Sequence, residues 1–124
     1  NLKNVYFLNC AAEVLPKYFK AGAISRIYLN FSNPLPKEGY KKQRLTHPRF
    51  LEIYKRIIKK GGRIIQKTDD GDFYKFSLES YAIADIKVIT TCENYTGEYG
   101  DVETEHERKF KAAGKSIYRI IAEV

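Results

Sequence analysis

The 124-residue sequence contains no methionine, 2 cysteines and 2 histidines. Cys10 and Cys92 lie far apart, each in or beside a strand-like segment, and neither has a second Cys or His at metal-ligand spacing. That pattern fits two reduced thiols of a cytoplasmic protein and excludes a disulfide framework or a zinc site. His47 and His106 are equally isolated, each near an expected helix start, so no metal set is formed. No apolar run reaches the roughly 18 residues a membrane helix needs. No charged, then apolar, then small-residue signal segment opens the chain. Internal repeats and low-complexity tracts are also missing.

Charge and aromatic residues are plentiful. The chain has 22 basic and 15 acidic residues, a net charge of +7, with 10 Tyr and 7 Phe. At 44% hydrophobic and 30% charged it reads as one globular domain or part of one. The positive balance favours an anionic partner, of which nucleic acid is the commonest, and no membrane partner is expected.

The stretch Arg26 to Arg44, RIYLNFSNPLPKEGYKKQR, organises the rest. Its apolar first half reads as a buried strand over Arg26 to Phe31. Ser-Asn-Pro-Leu-Pro then ends that strand, because proline lacks the amide donor and forces its predecessor into extended geometry. A loop dense in Lys and Arg comes next, at the strand end where open α/β sheets bind ligands. As plain local structure it is a solvated loop stiffened by prolines.

Asn4 to Asn9 is a further strand candidate, and Ala11 to Phe19 a short helix around Pro16. Thr46 suits the cap of a helix running to about Lys60, with Pro48 in its first turn. Phe50, Leu51, Tyr54, Ile57 and Ile58 form its apolar stripe, and Gly61-Gly62 is expected to stop it. Arg63 to Lys67 reads as a strand, Asp72 to Ala84 as a helix and Ile86 to Cys92 as a strand. A polar loop covers Glu93 to Glu103, a helix runs from Thr104 to near Gly114, and Ser116 to Val124 is a last strand. The strand, helix, Gly-Gly, strand order predicts a right-handed βαβ unit with parallel strands.

The segments IYLNFSNPLPK, KKQRLTHPRFL, GGRIIQKTD, TEHERKF and GKSIYR resemble, in order and spacing, the bacterial tRNA (guanine-N7)-methyltransferase family. LNCAAEVL is similar to the end of that fold's third strand. The resemblance implies an α/β class, the C-terminal part of a Rossmann-like class I methyltransferase domain, with a mostly parallel sheet and helices on both faces. It implies that residues 1–124 form a single domain, apparently incomplete at its N-terminus. The Gly-rich cofactor loop and the acidic ribose-binding residue of such enzymes are not in the sequence, so roughly two-fifths of the domain is expected to precede it. Without those strands an edge of the sheet needs rearrangement or a partner. The implied activity is methyl transfer from S-adenosylmethionine to N7 of a guanine in the tRNA variable loop, by a cytoplasmic monomer or homodimer.

The resemblance also assigns residues. The family's Asp-Pro-x-Pro-Lys, usually with Trp at x, reads Asn33-Pro34-Leu35-Pro36-Lys37. Asn33 would stand by the donor and the target guanine, keeping the shape of the Asp but not its charge. Lys37 would contact substrate. Of the neighbouring RNA-contacting patch Lys42 and Arg44 survive, with Lys41 beside them as a further RNA-binding cation, while Tyr40 and Gln43 replace His and Arg. Ala11 occupies the position that in the family holds the adenine amino group. Asp69, in the Thr-Asp pair, would grip the guanine and serve catalysis, and Thr104 with Glu107 would contact substrate. Read from the residues alone, Asp69 or Asp70 suits a helix cap and Thr104 with Glu107 a capping box.

The chemistry is consistent with that set. Guanine N7 carries a lone pair and no proton, so transfer from a sulfonium needs in-line placement more than a strong base. Carboxylates can grip the N1–H and N2 edge, and lysines can hold phosphates. Two other readings stand beside this one. The first is a catalytically degenerate paralogue that binds RNA or a partner protein, suggested by Ala11, Asn33, Tyr40 and Gln43. The second is a generic basic α/β binding domain.

Overall fold

The computed structural model describes residues 3–97 and 103–124. Four strands, β1 (Ile24–Asn30), β2 (Ile58–Thr68), β3 (Lys87–Cys92) and β4 (Tyr118–Glu123), form one sheet in the order β1-β2-β4-β3. β1 and β2 pair in parallel, and β4 lies antiparallel between β2 and β3. Three of the four strands therefore run the same way, as the α/β class requires, and the last strand fills the gap that the β2-to-β3 crossover leaves.

The helices are α1 (Leu15–Tyr18), α2 (Pro48–Ile57), α3 (Gly71–Ile83) and α4 (Glu105–Ala112). Side chains alternate across a strand. Ile64 of β2 packs with Leu51 and Tyr54 of α2 and Tyr81 of α3 in one buried cluster, while Lys67 faces Glu107 of α4 across the sheet. A polar chain ties α3 to the core. The Gln66 amide donates to Ser77 Oγ at 2.8 Å, the Tyr81 hydroxyl donates to Gln66 Oε1 at 3.0 Å, and Thr46 and Ser77 share a 2.7 Å bond. Each of these buried groups is satisfied, so the network fixes one register of α3 on β2.

Several boundaries differ from expectation, each for a visible reason. Asn4 to Asn9 forms no strand: no described strand pairs with it, and Tyr6 and Phe7 are exposed. The cap of α2 is His47, whose Nδ1 accepts the Arg49 amide at 3.1 Å, because Thr46 is buried against Ser77. α2 ends at Ile57 rather than near Lys60, since buried Ile58 pairs with Ile24 of β1. The Gly-Gly pair sits inside β2, where the register jumps from Ile24↔Ile58 to Arg26↔Arg63. Gly61 takes φ +82°, and a Cβ on Gly62 would lie 2.4 Å from Ile58 Cγ2 and 2.8 Å from the Ser25 carbonyl. Glycine at 62 is thus demanded by strand crossing, not by a helix end.

β1 is an edge strand of the described sheet. Beside it lies an apolar groove of about 490 Å³ whose lining includes Tyr6, Leu8, Leu15, Ile24, Ile27 and Tyr54.

Candidate functional site

The C-terminal ends of β1 and β2 meet at Phe31, whose amide donates to the Lys67 carbonyl at 2.8 Å. Phe31 and Leu35 both have left-handed backbones, φ +54° and +45°, which cost about 1–2 kcal/mol each for residues with a Cβ. Packing over-determines both. The Phe31 ring lies against Phe110 and His106 of α4, at 5.2 and 5.9 Å between centroids. The Leu35 amide donates to Asn33 Oδ1 at 3.1 Å, and the Leu35 carbonyl accepts from Arg44 Nε at 3.3 Å. Asn33 thus spends its side-chain oxygen on a local turn, as Asn does in such turns.

The basic loop divides in two. Lys37 and Lys42 are exposed, and Lys41 pairs with Glu38 at 2.8 Å. Arg44 is only 1% exposed. Its Nη2 donates to Asp72 at 3.2 Å and its guanidinium stacks on Phe76 at 4.6 Å. The expectation that Arg44 faces RNA is therefore corrected: an apolar pocket between the loop and α3 has drawn the guanidinium inside, where it fastens the loop.

After β2, Thr68 Oγ1 accepts the Asp70 amide at 3.1 Å, and Asp70 caps α3 by accepting the Phe73 amide at 2.7 Å. The capping role falls to Asp70 and leaves Asp69 partly exposed, 3.8 Å from Lys115. Thr104 caps α4, accepting the Glu107 amide at 3.0 Å. The Glu107 carboxylate is buried, and its two oxygens receive Lys67 Nζ at 2.9 Å and Lys111 Nζ at 3.3 Å. Lys111 also bonds Glu103 at 2.9 Å. Hydrogen bonds from Lys111 and then Arg108 hold the Glu103 carboxyl below its ordinary range, and the bond to Glu103 holds Lys111 above its own.

Three residues here were given no functional role in the sequence reading. Lys67 and Arg119 are direct partners across β2 and β4, and both set their cations over the buried Tyr95 ring, at 4.9 and 4.3 Å. The signal for Lys67 was a charged residue closing an apolar strand beside a parallel neighbour. Tyr95 sits in a polar loop and gave none. The structure therefore gathers Asn33, Asp69, Thr104 and Glu107 around the ends of β1, β2 and α4. Ala11 is exposed at the start of a short 3-10 turn and makes no side-chain bond. Among the described residues no cluster of His, Cys, Asp and Glu could hold a metal, and no helix is long and apolar enough to cross a membrane.

The profile of a family described as "Putative methyltransferase" matches residues 1–120. The chain is 40% identical over 124 residues to a tRNA (guanine-N(7)-)-methyltransferase of Streptococcus thermophilus, covering 98% of this chain and 58% of that one. To the protein of the same name from Bacillus subtilis it is 41% identical over 120 residues, 94% of this chain and 56% of that one. Among solved structures, a precorrin-6y C5,15-methyltransferase of Geobacter metallireducens superposes with a TM-score of 0.55 at 12% identity, over 98% of this chain and 56% of that one. At that identity the likeness is one of fold. The chain spans somewhat more than half the length of the curated relatives it matches.

Proposed function

The chain belongs to this methyltransferase family, and from that premise we propose that it serves in methyl transfer from S-adenosylmethionine to N7 of a guanine in the tRNA variable loop. The observation that carries the reading is Asp69, which follows β2 directly, is partly exposed and lies 3.8 Å from Lys115, while the cap of α3 is made by its neighbour Asp70. Asp69 would accept the N1–H and N2 amino protons of the guanine, which orients N7 and offsets the positive charge that methylation places on the base. Lys37 and Lys42 would hold neighbouring phosphates. Glu107 would join them only by giving up a lysine, and the 3.3 Å bond to Lys111 is the looser of its two. Cytoplasmic location and a monomeric or homodimeric state belong to the same proposal.

The residues of this chain do not by themselves fit the methyl donor. Ala11 offers adenine only a methyl group, and the Asn33 oxygen already holds the Leu35 amide. The same two observations favour a second reading, a paralogue that binds RNA or a partner without methylating.

The test is transfer of labelled methyl from S-adenosylmethionine to unmodified tRNA by the full-length protein. Label recovered as N7-methylguanine, lost about 100-fold or more in Asp69→Ala, is the expected result. No label, with tRNA still bound at low salt, overturns it in favour of the binding paralogue.

A further inference from the structure

We propose that the end of the sheet opposite the candidate site is a second RNA-binding surface, on which Lys20, Arg56, Lys59 and Lys60 hold backbone phosphates. The proposal rests on the reading of tRNA as the substrate. Three stretches of chain converge there. The Gly22 amide donates to the Arg56 carbonyl at 3.1 Å, a Cβ on Gly22 would touch Lys59 Cα at 3.8 Å, and Ile24 pairs with Ile58. Gly61, next to Lys60, bonds the Val124 carbonyl at 2.9 Å. Lys20, Arg56, Lys59 and Lys60 are therefore fixed around one end of β1 and β2.

All four side chains are exposed, and among the described residues none has an ion-pair partner. The acids nearby are already engaged: Glu52 with Lys55 at 3.6 Å and Glu123 with Arg63 at 3.4 Å. Asp85, before β3, and Glu79, in the second half of α3, are acidic side chains outside the described ion pairs. The negative end of the α2 dipole accounts for a cation at Arg56. It does not account for Lys59 and Lys60, which lie in β2, or for Lys20, which precedes β1. A cluster of solvated cations without partners is suited to phosphates, which it binds without reading bases. From Lys60 to Thr68 the strand rises roughly 25 Å, so the two ends would meet different stretches of one RNA backbone.

The test compares tRNA affinity of the full-length protein with that of a K20Q/R56Q/K59Q/K60Q variant across a salt series. Each phosphate contact contributes about 0.7–0.9 to the slope of log affinity against log salt, so the variant's slope should shrink by about 3 and its low-salt affinity fall roughly 10- to 100-fold. Methyl transfer should show a raised KM for tRNA at unchanged kcat. A control that removes equal charge elsewhere, K3Q/K17Q/K75Q/K109Q, should lose much less. Equal losses in both variants, or no loss in the first, overturn the proposal while leaving the methyltransferase reading intact. A wild-type protein that binds no tRNA overturns both.

Discussion

The two ends of the sheet use charge in opposite ways. At the end where β1 and β2 finish, most cations are spent on carboxylates: Lys67 and Lys111 on Glu107, Lys115 on Asp69, Arg44 on Asp72 and Lys41 on Glu38, while Lys37 and Lys42 of the basic loop are exposed and in no described ion pair. At the other end Lys20, Arg56, Lys59 and Lys60 face solvent with no described ion-pair partner. The net charge of +7 therefore does not mark the candidate site. There, apart from Lys37 and Lys42, positive groups position carboxylates and loops, and their worth is read in stability. At the opposite end they are idle in the fold, and their worth is read in salt-dependent binding.

The strongest way to break this contrast is to remove Glu107. Glu107→Leu takes away the buried carboxylate that Lys67 meets at 2.9 Å and Lys111 at 3.3 Å, and removing one partner of a buried pair costs about 3–5 kcal/mol. That is a large share of the roughly 5–15 kcal/mol a domain typically holds. Urea unfolding should show the loss, and adding Lys67→Met should recover part of it, because the buried cation leaves together with the carboxylate. A single variant as stable as wild type would mean that the ion pair holds nothing.

Arg44 sharpens the comparison at an intermediate size. Arg44→Ala should cost about 1–3 kcal/mol, because it loses the contact with Phe76 and the bond that holds the strained Leu35 carbonyl. Arg44→Met loses the bonds to Leu35 and Asp72 as well but keeps the packing on Phe76 and removes Nη1, which has no partner among the described residues, so it should cost less than Arg44→Ala. Neither change should move tRNA affinity at constant fraction folded. A marked drop in affinity for Arg44→Met would return Arg44 to the RNA-facing set.

Arg44 also shows where sequence reasoning stops. The order of strands and helices was legible because apolar periodicity and turn residues report burial locally. The turn that follows β1 and a helix cap at Asp69 or Asp70 were legible for the same reason, although β1 ends at Asn30 and β2 at Thr68. Whether a guanidinium in a Lys/Arg run faces water depends on Phe73 and Phe76, some 30 residues later, and no local pattern carries that. The Gly-Gly pair misled similarly: helix end and strand crossing ask for the same residue, and only the contact of Gly62 with Ser25 distinguishes them. For Glu107 the resemblance named a substrate contact, whereas the partners that occupy its oxygens come from β2 and from the next turn of α4.

The smallest expected effect separates the two ends by pH rather than salt. His47 caps α2 through a neutral Nδ1, an acceptor that protonation abolishes. Burial, then the nearby charges of Arg49 and Lys42, lower its pKa from the ordinary 6.5. Because the folded value lies below the unfolded one, the unfolded chain takes up the proton first. The cap's contribution is complete above pH 6.5 and is lost as pH falls from there toward the folded value. Asn caps as well and does not titrate, so wild type minus His47→Asn should be near zero at about pH 8 and fall on acidification below pH 6.5. A difference that stays flat across that window would mean that His47 does not hold the start of α2. In that case the loop leading from Asn33 to α2 would depend on Arg44, on Thr46 and on the bonds that Tyr54 and Arg49 donate to the Leu45 and Lys42 carbonyls.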